Sequence, residues 1–403
     1  MNIWILNHHA LTPDMGGGTR HYDMAKELVK SGHNVVIVAS SFHYSKLKEM
    51  REYGESKYLV EDIDGVEFVW LKTPPYTSNG IKRVINMLSY TQKALFLLPK
   101  LKLPKPDLII GSSVHLFAVY AAFKLAKRYK TPFVMEIRDL WPQTLIDMGM
   151  SKYHPFIVIL AFLERYLYKR ADKIITLLPK AHVYIESLGV LDKKIVWIPN
   201  GATIKELEHS KQTVLAPNKF NVVYAGAMGV ANDLDLLIDT AHYLKDRENI
   251  HFTLIGDGVE RHRLAKRCEG LQSVLFVDTL PKDELLSYLF DADLLYVGLR
   301  DLPLYRYGIS MNKIYEYLSC AKPILFVSDI DENIIELASA GTVVKGRDVD
   351  KIANSIEDYS HMSRAELKEI GKNGYNYLLK NHTISILTDR LKSIIKELKV
   401  GNV

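Results

Sequence analysis

The chain has 403 residues, 48% of them hydrophobic and 25% charged, with a net charge of +5. That length predicts two or three domains, and the balance excludes disordered and fibrous classes. Cys268 and Cys320 are too few for a disulfide framework and fit a reducing compartment. No apolar run approaches the 18 or so residues of a spanning helix, Phe156–Leu163 being the best candidate, and Ile3–Leu6 lacks the basic flank of a signal peptide.

Short β-rich runs alternate with helical patterns along the chain. Ile3–Leu6 reads as a strand, followed by a Gly-rich turn and a helix from about Thr19 to Ser31 that Gly32 ends. Further strands are predicted at Val35–Val38, Val66–Leu71, Leu108–Ile110, Phe133–Ile137, Lys173–Leu177 and Ile195–Ile198. After Asn200-Gly201 a polar stretch to about Lys219 reads as a linker. The series then restarts at Asn221–Tyr224, Phe252–Ile255, Val274–Phe276, Leu294–Val297, Ile324–Val327 and Thr342–Val344. Strand–helix alternation implies parallel βαβ units. The expected architecture is α/β, with two Rossmann-like domains, 1–200 and 215–380, whose parallel sheets face a central cleft. A basic amphipathic helix near 383–399 is expected to cross back onto the first domain.

Charge divides along the same line. Residues 1–200 hold 27 Lys and Arg against 18 Asp and Glu, while 201–403 hold 25 against 29. Phe68 to Pro106 contains no acid but carries Lys72, Lys82, Arg83, Lys93, Lys100, Lys102 and Lys105, interleaved with Ile81, Val84, Ile85, Leu88, Tyr90 and Leu95–Leu98. A basic amphipathic segment of this kind predicts docking on an anionic membrane surface. No nucleic-acid motif is present, so nucleic acid is not an expected partner.

Three clusters carry candidate chemistry. Gly16, Gly17 and Gly18, followed by Thr19 and Arg20, place a Gly-rich turn before the first helix, where amides and the helix dipole favour an anion. This is not G-x-G-x-x-G, and no acid ends the second strand, which disfavours a dinucleotide site. Gly256, Asp257 and Gly258 follow a strand end, where small residues would leave room for a base or phosphate. Asn312, Lys313 and Glu316 lie in Ser310–Leu318, and the spacing of Lys313 and Glu316 puts them on one helix face. A carboxylate there suits a sugar diol and the lysine a diphosphate, whereas the bland alternative is an exposed ion pair.

In order and form these features, with Glu136–Pro142, Tyr224–Gly229 and Asn312–Tyr317, resemble the GT-B retaining glycosyltransferases of family four. Within it they are similar to the branch of bacterial O-antigen and capsule transferases that includes L-fucosamine-transferase-like proteins. The resemblance covers nearly the whole chain. It implies that Gly16–Gly18 lie over diphosphate and acceptor, that Gly226, Gly256–Gly258, Leu280 and Pro281 border the nucleotide, and that Glu316 binds the ribose. The family's first motif glutamate falls at Gly308, and the usual Arg and Lys after Gly226 are missing, so Arg306 or Lys313 would substitute. His115, Arg138 and Asp139 are the catalytic candidates on the acceptor side. Transfer in this family is described as front-face, with the donor phosphate accepting the acceptor's proton, so positioning and charge stabilisation do the work.

The resemblance implies a nucleotide-sugar donor, with a UDP-linked N-acetylated or deoxy amino sugar expected, and a lipid-linked saccharide acceptor. It further implies a cytoplasmic location peripheral to the inner face of the cell membrane. No cofactor is expected. Asp62-Ile63-Asp64, Asp233-Leu234-Asp235 and Asp291-Ala292-Asp293 read as turn or cap segments, so no metal is expected either. Two alternatives stay open: a nucleotide-sugar 2-epimerase, for which the acid-free basic stretch would lack a purpose, and a non-catalytic nucleotide-sugar-binding protein.

Overall fold

A computed structural model describes residues 1–78, 80–113, 115–204 and 213–400; positions 205–212 of the expected linker lie outside the described residues. The chain divides into two compact units, one of Met1–Asn200 with Ile384–Val403, the other Gly201–Thr383.

The first unit contains β1 (Asn2–Leu6), β2 (Asn34–Ala39), β3 (Phe42–His43), β4 (Lys48–Glu49), β5 (Tyr58–Ile63), β6 (Val66–Leu71), β7 (Leu108–Ser112), β8 (Phe133–Ile137), β9 (Lys173–Thr176) and β10 (Ile195–Trp197). Eight of these form a sheet in the order β10-β9-β8-β7-β1-β2-β6-β5. Its pairs are parallel except β5 on β6, an edge hairpin closed by Asp64 and Gly65, both at positive φ. Sequence reading missed β5 because its residues are half or fully exposed and lack a buried apolar run. The small hairpin β3–β4 was missed too, being only two residues a strand.

The second unit contains β11 (Phe220–Ala225), β12 (Ile250–Ile255), β13 (Val274–Val277), β14 (Leu294–Gly298), β15 (Ile324–Val327) and β16 (Gly341–Val344). All are parallel, in the order β13-β12-β11-β14-β15-β16. Both faces are covered: Val222 and Tyr224 join one core cluster, Val223 and Ala225 the other. That is why the strands read as continuous apolar runs.

Each sheet reverses direction once. In the first unit the order changes between β1 and β7, in the second between β11 and β14. The loops at the carboxyl ends of those strands are where an open α/β sheet places its ligand. The helix Ile384–Val400 belongs to the first unit, packing Leu387, Leu391, Ile394 and Ile395 into the same core as Ile3, Ile5 and Leu28.

Candidate functional site

In the first unit the switch point gathers His8 and His9 after β1, Gly16–Gly18 beyond them, and His115 after β7. His115 is the N-cap of the helix Leu116–Tyr129, and its Nδ1 accepts the Ala118 N–H at 3.2 Å. A lone pair spent on Nδ1 leaves the hydrogen on Nε2, which therefore donates to His8 Nδ1 at 2.7 Å. The His8 ring is fixed by stacking between Tyr90 and His9, with centroids 4.3 Å away on each side. Burial pushes the His115 imidazole down to about 3, with Arg83 adding to the fall. His8 and His9 are likewise held well below the ordinary value, first by burial and then by the neighbouring imidazoles and Arg83. A ring that is capped, bonded and this weakly basic is a poor general base at neutral pH.

Ring nitrogens of His8, His9 and His115 come within 4.8 Å of one another, the one such group of potential metal ligands among the described residues. Three features of its surroundings disfavour a cation. His115 Nε2 carries its hydrogen, the His8 and His9 rings lie nearly parallel at 12°, and the charges acting on the cluster, Arg83 and Arg138, are positive.

Arg20 requires a correction. It is buried, its Nε donates to Glu136 Oε1 at 3.0 Å, and its terminal nitrogens donate to the carbonyls of Ile198 and Pro199. Glu136 also takes His21 Nε2 at 2.5 Å and Ser112 Oγ at 2.6 Å. Burial pushes the Glu136 carboxyl up, but His21 and Arg20 outweigh it and hold it well below the usual range. A guanidinium so neutralised is a structural tie and not an arm for a diphosphate.

The cation at the glycine turn is instead Lys46, from the loop between β3 and β4. Its Nζ donates to Met15 O at 2.7 Å and would lie 3.6 Å from a Cβ at Gly16. Gly16 and Gly17 both have positive φ. Arg138 is half-buried and Asp139 exposed just beyond β8, where Ser113 Oγ accepts the Arg138 N–H at 3.0 Å.

In the second unit the loop Gly226–Asn232 follows β11, and Gly256–Gly258 follows β12 beside it. The glycines there are needed for a different reason than sequence reading gave. A Cβ at Gly256 would collide with Gly226 O and one at Gly258 with Met228 O, so the two loops pack backbone to backbone at these glycines. Met228 N–H donates to Asp257 O at 2.8 Å and locks them. The helix Asn312–Ser319 delivers Lys313 and Glu316 to this edge. Lys313 Nζ donates to Tyr224 Oη at 2.9 Å and Asn232 Oδ1 at 3.0 Å, and Glu316 pairs with Lys282 at 3.4 Å. Leu280 and Pro281 lead into the helix Lys282–Asp291 that carries Lys282. Arg306 is exposed, bonded to Pro303 O and stacked on Tyr307. Tyr224 and Asn232 were missed by sequence reading, since their role appears only once Lys313 is folded against them.

The aspartate pairs are occupied elsewhere. Asp233 is buried between Arg300 and Arg347, Asp235 is bonded to Arg263 and Arg267, and Asp291 and Asp293 bracket the entry to β14.

Two family models match the sequence: a glycosyl transferase 4-like domain over residues 15–201 and glycosyl transferases group 1 over residues 219–361. The chain is a GT-B glycosyltransferase. No curated protein sequence matches it significantly. Among solved structures, the glycosyltransferase is similar to a sucrose-phosphate synthase from Thermosynechococcus elongatus, with 16% identity, TM-score 0.74 and 99% of each chain covered. It is also similar to an E. coli structure described as trehalose-6-phosphate bound with UDP-2-fluoro glucose, with 14% identity, TM-score 0.72 and 99% of each chain covered. A third is WaaG, a glycosyltransferase involved in lipopolysaccharide biosynthesis, with 14% identity, TM-score 0.66, and 98% and 99% covered.

Proposed function

We propose that this glycosyltransferase moves a sugar, with retention, from a nucleotide sugar to a lipid-linked glycan acceptor in bacterial surface polysaccharide synthesis. The observation that carries the reading is the placement of Lys313 and Glu316 on one helix beside the loop after β11, at the switch point of the second sheet. Glu316 takes the ribose hydroxyls, and Leu280, Pro281 and Asp257 border the base. UDP is the proposed nucleotide, supported by the UDP-2-fluoro glucose bound in the similar E. coli structure, and an N-acetylated or deoxy amino sugar the proposed cargo. On the acceptor side stand Gly16–Gly18, Lys46, Arg138 and Asp139. A His115 this weakly basic supports the front-face route, in which the donor's own phosphate takes the proton.

Purified protein incubated with radiolabelled UDP-sugars, with and without membrane extract, tests the reading. Label moving into a lipid-extractable product only with extract supports transfer. Interconversion of the free nucleotide sugar would instead mark an epimerase, and no turnover a binding protein. The same assay is expected to keep its rate in EDTA, because amides and cations neutralise the diphosphate; restoration by manganese or magnesium after a loss would overturn that.

The protein is proposed to sit on the inner face of the cell membrane. No helix among the described residues is long and apolar enough to cross it. Of the basic segment's apolar residues, Tyr90 and Leu98 are buried in the core, while Ile81, Ile85, Leu88 and Phe96 are exposed on the helix from Ile81 and carry the docking face. The helix Pro155–Arg170 adds Val158, Ile159 and Phe162, all exposed, with Arg165 and Lys169 beside them. Each cation near an anionic surface contributes about 1 kcal/mol. Wild type should pellet with anionic liposomes at low salt, and the Lys82→Gln, Arg83→Gln, Lys93→Gln variant several-fold less. Equal pelleting of both, or no preference over neutral liposomes, would sink the idea.

A further inference from the structure

Lys313 brings a positive charge to a place furnished with neutral oxygens. Its Nζ lies 4.3 Å from the Tyr224 ring centroid and donates to the phenol oxygen and to Asn232 Oδ1. Both acceptors are held in orientation by one carbonyl: Tyr224 Oη donates to Ala227 O at 2.6 Å and Asn232 Nδ2 donates to it at 2.9 Å. Their lone pairs must therefore face the lysine. Gly226 leaves the space, for a Cβ there would stand 2.9 Å from Nζ.

An ammonium has three hydrogens, and two are taken by uncharged partners. No carboxylate among the described residues lies within ion-pair distance of it. Glu316, the nearest acid on the same helix, is engaged by Lys282 at 3.4 Å. The other titratable neighbours are phenols, Tyr224 from β11 and Tyr317 from the same helix, and burial keeps both protonated. Burial pushes the Lys313 ammonium down to about 7, with Glu316 pulling it only partly back. Meanwhile the loop Gly226–Asn232 contains no Arg or Lys of its own.

We infer that Lys313 is the cation that meets the donor's phosphate, and that it takes up its proton from solvent as the nucleotide binds. The inference rests on the proposed glycosyltransferase reading and adds to it a coupling between donor affinity and pH. The sign follows from linkage. A lysine neutral in the empty site and charged in the filled one makes binding weaker as pH rises above about 7. The only bond formed is the third N–H of Lys313, its proton drawn from solvent; the phosphate's negative charge supplies the stabilisation that water gives an exposed ammonium.

Isothermal titration with UDP, in two buffers of different ionisation enthalpy near pH 8, counts the protons. Wild type should take up close to one more proton per UDP than Lys313→Arg, whose charge is permanent; UDP's own phosphate ionisation is common to both. Between about pH 7 and 9 the wild-type affinity should fall roughly 25- to 50-fold more than that of Lys313→Arg. Because arginine is bulkier beside Gly226, wild type is also labelled with acetic anhydride across pH and read by mass spectrometry. The Lys313 midpoint should lie near neutrality and rise by about two pH units or more with UDP. UDP binding without excess proton uptake, or with an unmoved midpoint, overturns the inference alone. Failure of UDP to bind at any pH removes the donor reading and this inference together.

Discussion

Below about pH 6.5 the first unit is expected to lose stability steeply, and the cause is the cluster His8, His9 and His115. All three are buried and their imidazoles are held far below the ordinary value, chiefly by burial. In the unfolded chain each takes a proton near its usual value of about 6.5. The unfolded state then binds more protons than the native one, so stability falls as pH falls through 6.5 and continues to fall toward the depressed native values. Three such groups give a limiting slope of about 4 kcal/mol per pH unit, so near pH 5.5 a large part of a typical domain's stability is gone. His21 adds in the same direction, since burial outweighs the pull of Glu136. Glu136 itself acts in a separate, more acid window, because its depressed carboxyl contributes stability that is lost only as pH falls below the ordinary carboxylate range. Urea midpoints of the first unit measured between about pH 7.5 and 5.5 give the slope. The His9→Phe variant supplies the control: His9 has no hydrogen-bond partner on either ring nitrogen, so the change should lower the limiting slope by about 1.4 kcal/mol per pH unit with little other loss. A slope unchanged in that variant, or a flat profile in wild type, would refute the account.

Replacing Glu316 by alanine should raise the donor KM by roughly a hundredfold or more, or abolish turnover, while the protein stays folded. If the carboxylate accepts two ribose hydroxyls, each charge-assisted bond is worth about 1.5–3 kcal/mol. The stability cost is small because the residue is half-exposed and its ion pair with Lys282 is a surface one. Glu316→Gln keeps an acceptor without the charge and should fall between the two. Initial rates over a range of donor, with a thermal melt of each variant, make the measurement. Wild-type kinetics in Glu316→Ala would reduce Glu316 to a surface helix residue.

How much of this was legible follows from how far apart the partners are in sequence. The two sheets were readable because strand and helix periods alternate over short windows, and the central strands are buried on both faces, unlike the exposed edge strand β5. Lys313 and Glu316 could be placed together because three residues along a helix make neighbours. The histidine cluster could not, since His8 and His115 are 107 residues apart and meet only through sheet order. The Lys313–Asn232 contact spans 81 residues for the same reason. Gly256 and Gly258 were recognised as special, but sequence cannot say whether a missing side chain makes way for a ligand or for another backbone. Arg20 looked like an anion-binding side chain until Glu136 was found beneath it.

The returning helix Ile384–Val400 carries a consequence for biosynthesis. Residues 1–200 leave the ribosome first, yet their core includes Leu387, Leu391 and Ile394, which are translated only after the whole of the second unit. The second unit is continuous in sequence and can close as soon as it is made. The first must wait with the faces of Leu28, Val35 and Ile37 incompletely covered until the last helix arrives. Order of synthesis and order of completion are therefore reversed, and the nascent chain holds exposed apolar surface longest in the part it began with. Truncation ahead of Ile384 should accordingly damage the first unit and spare the second.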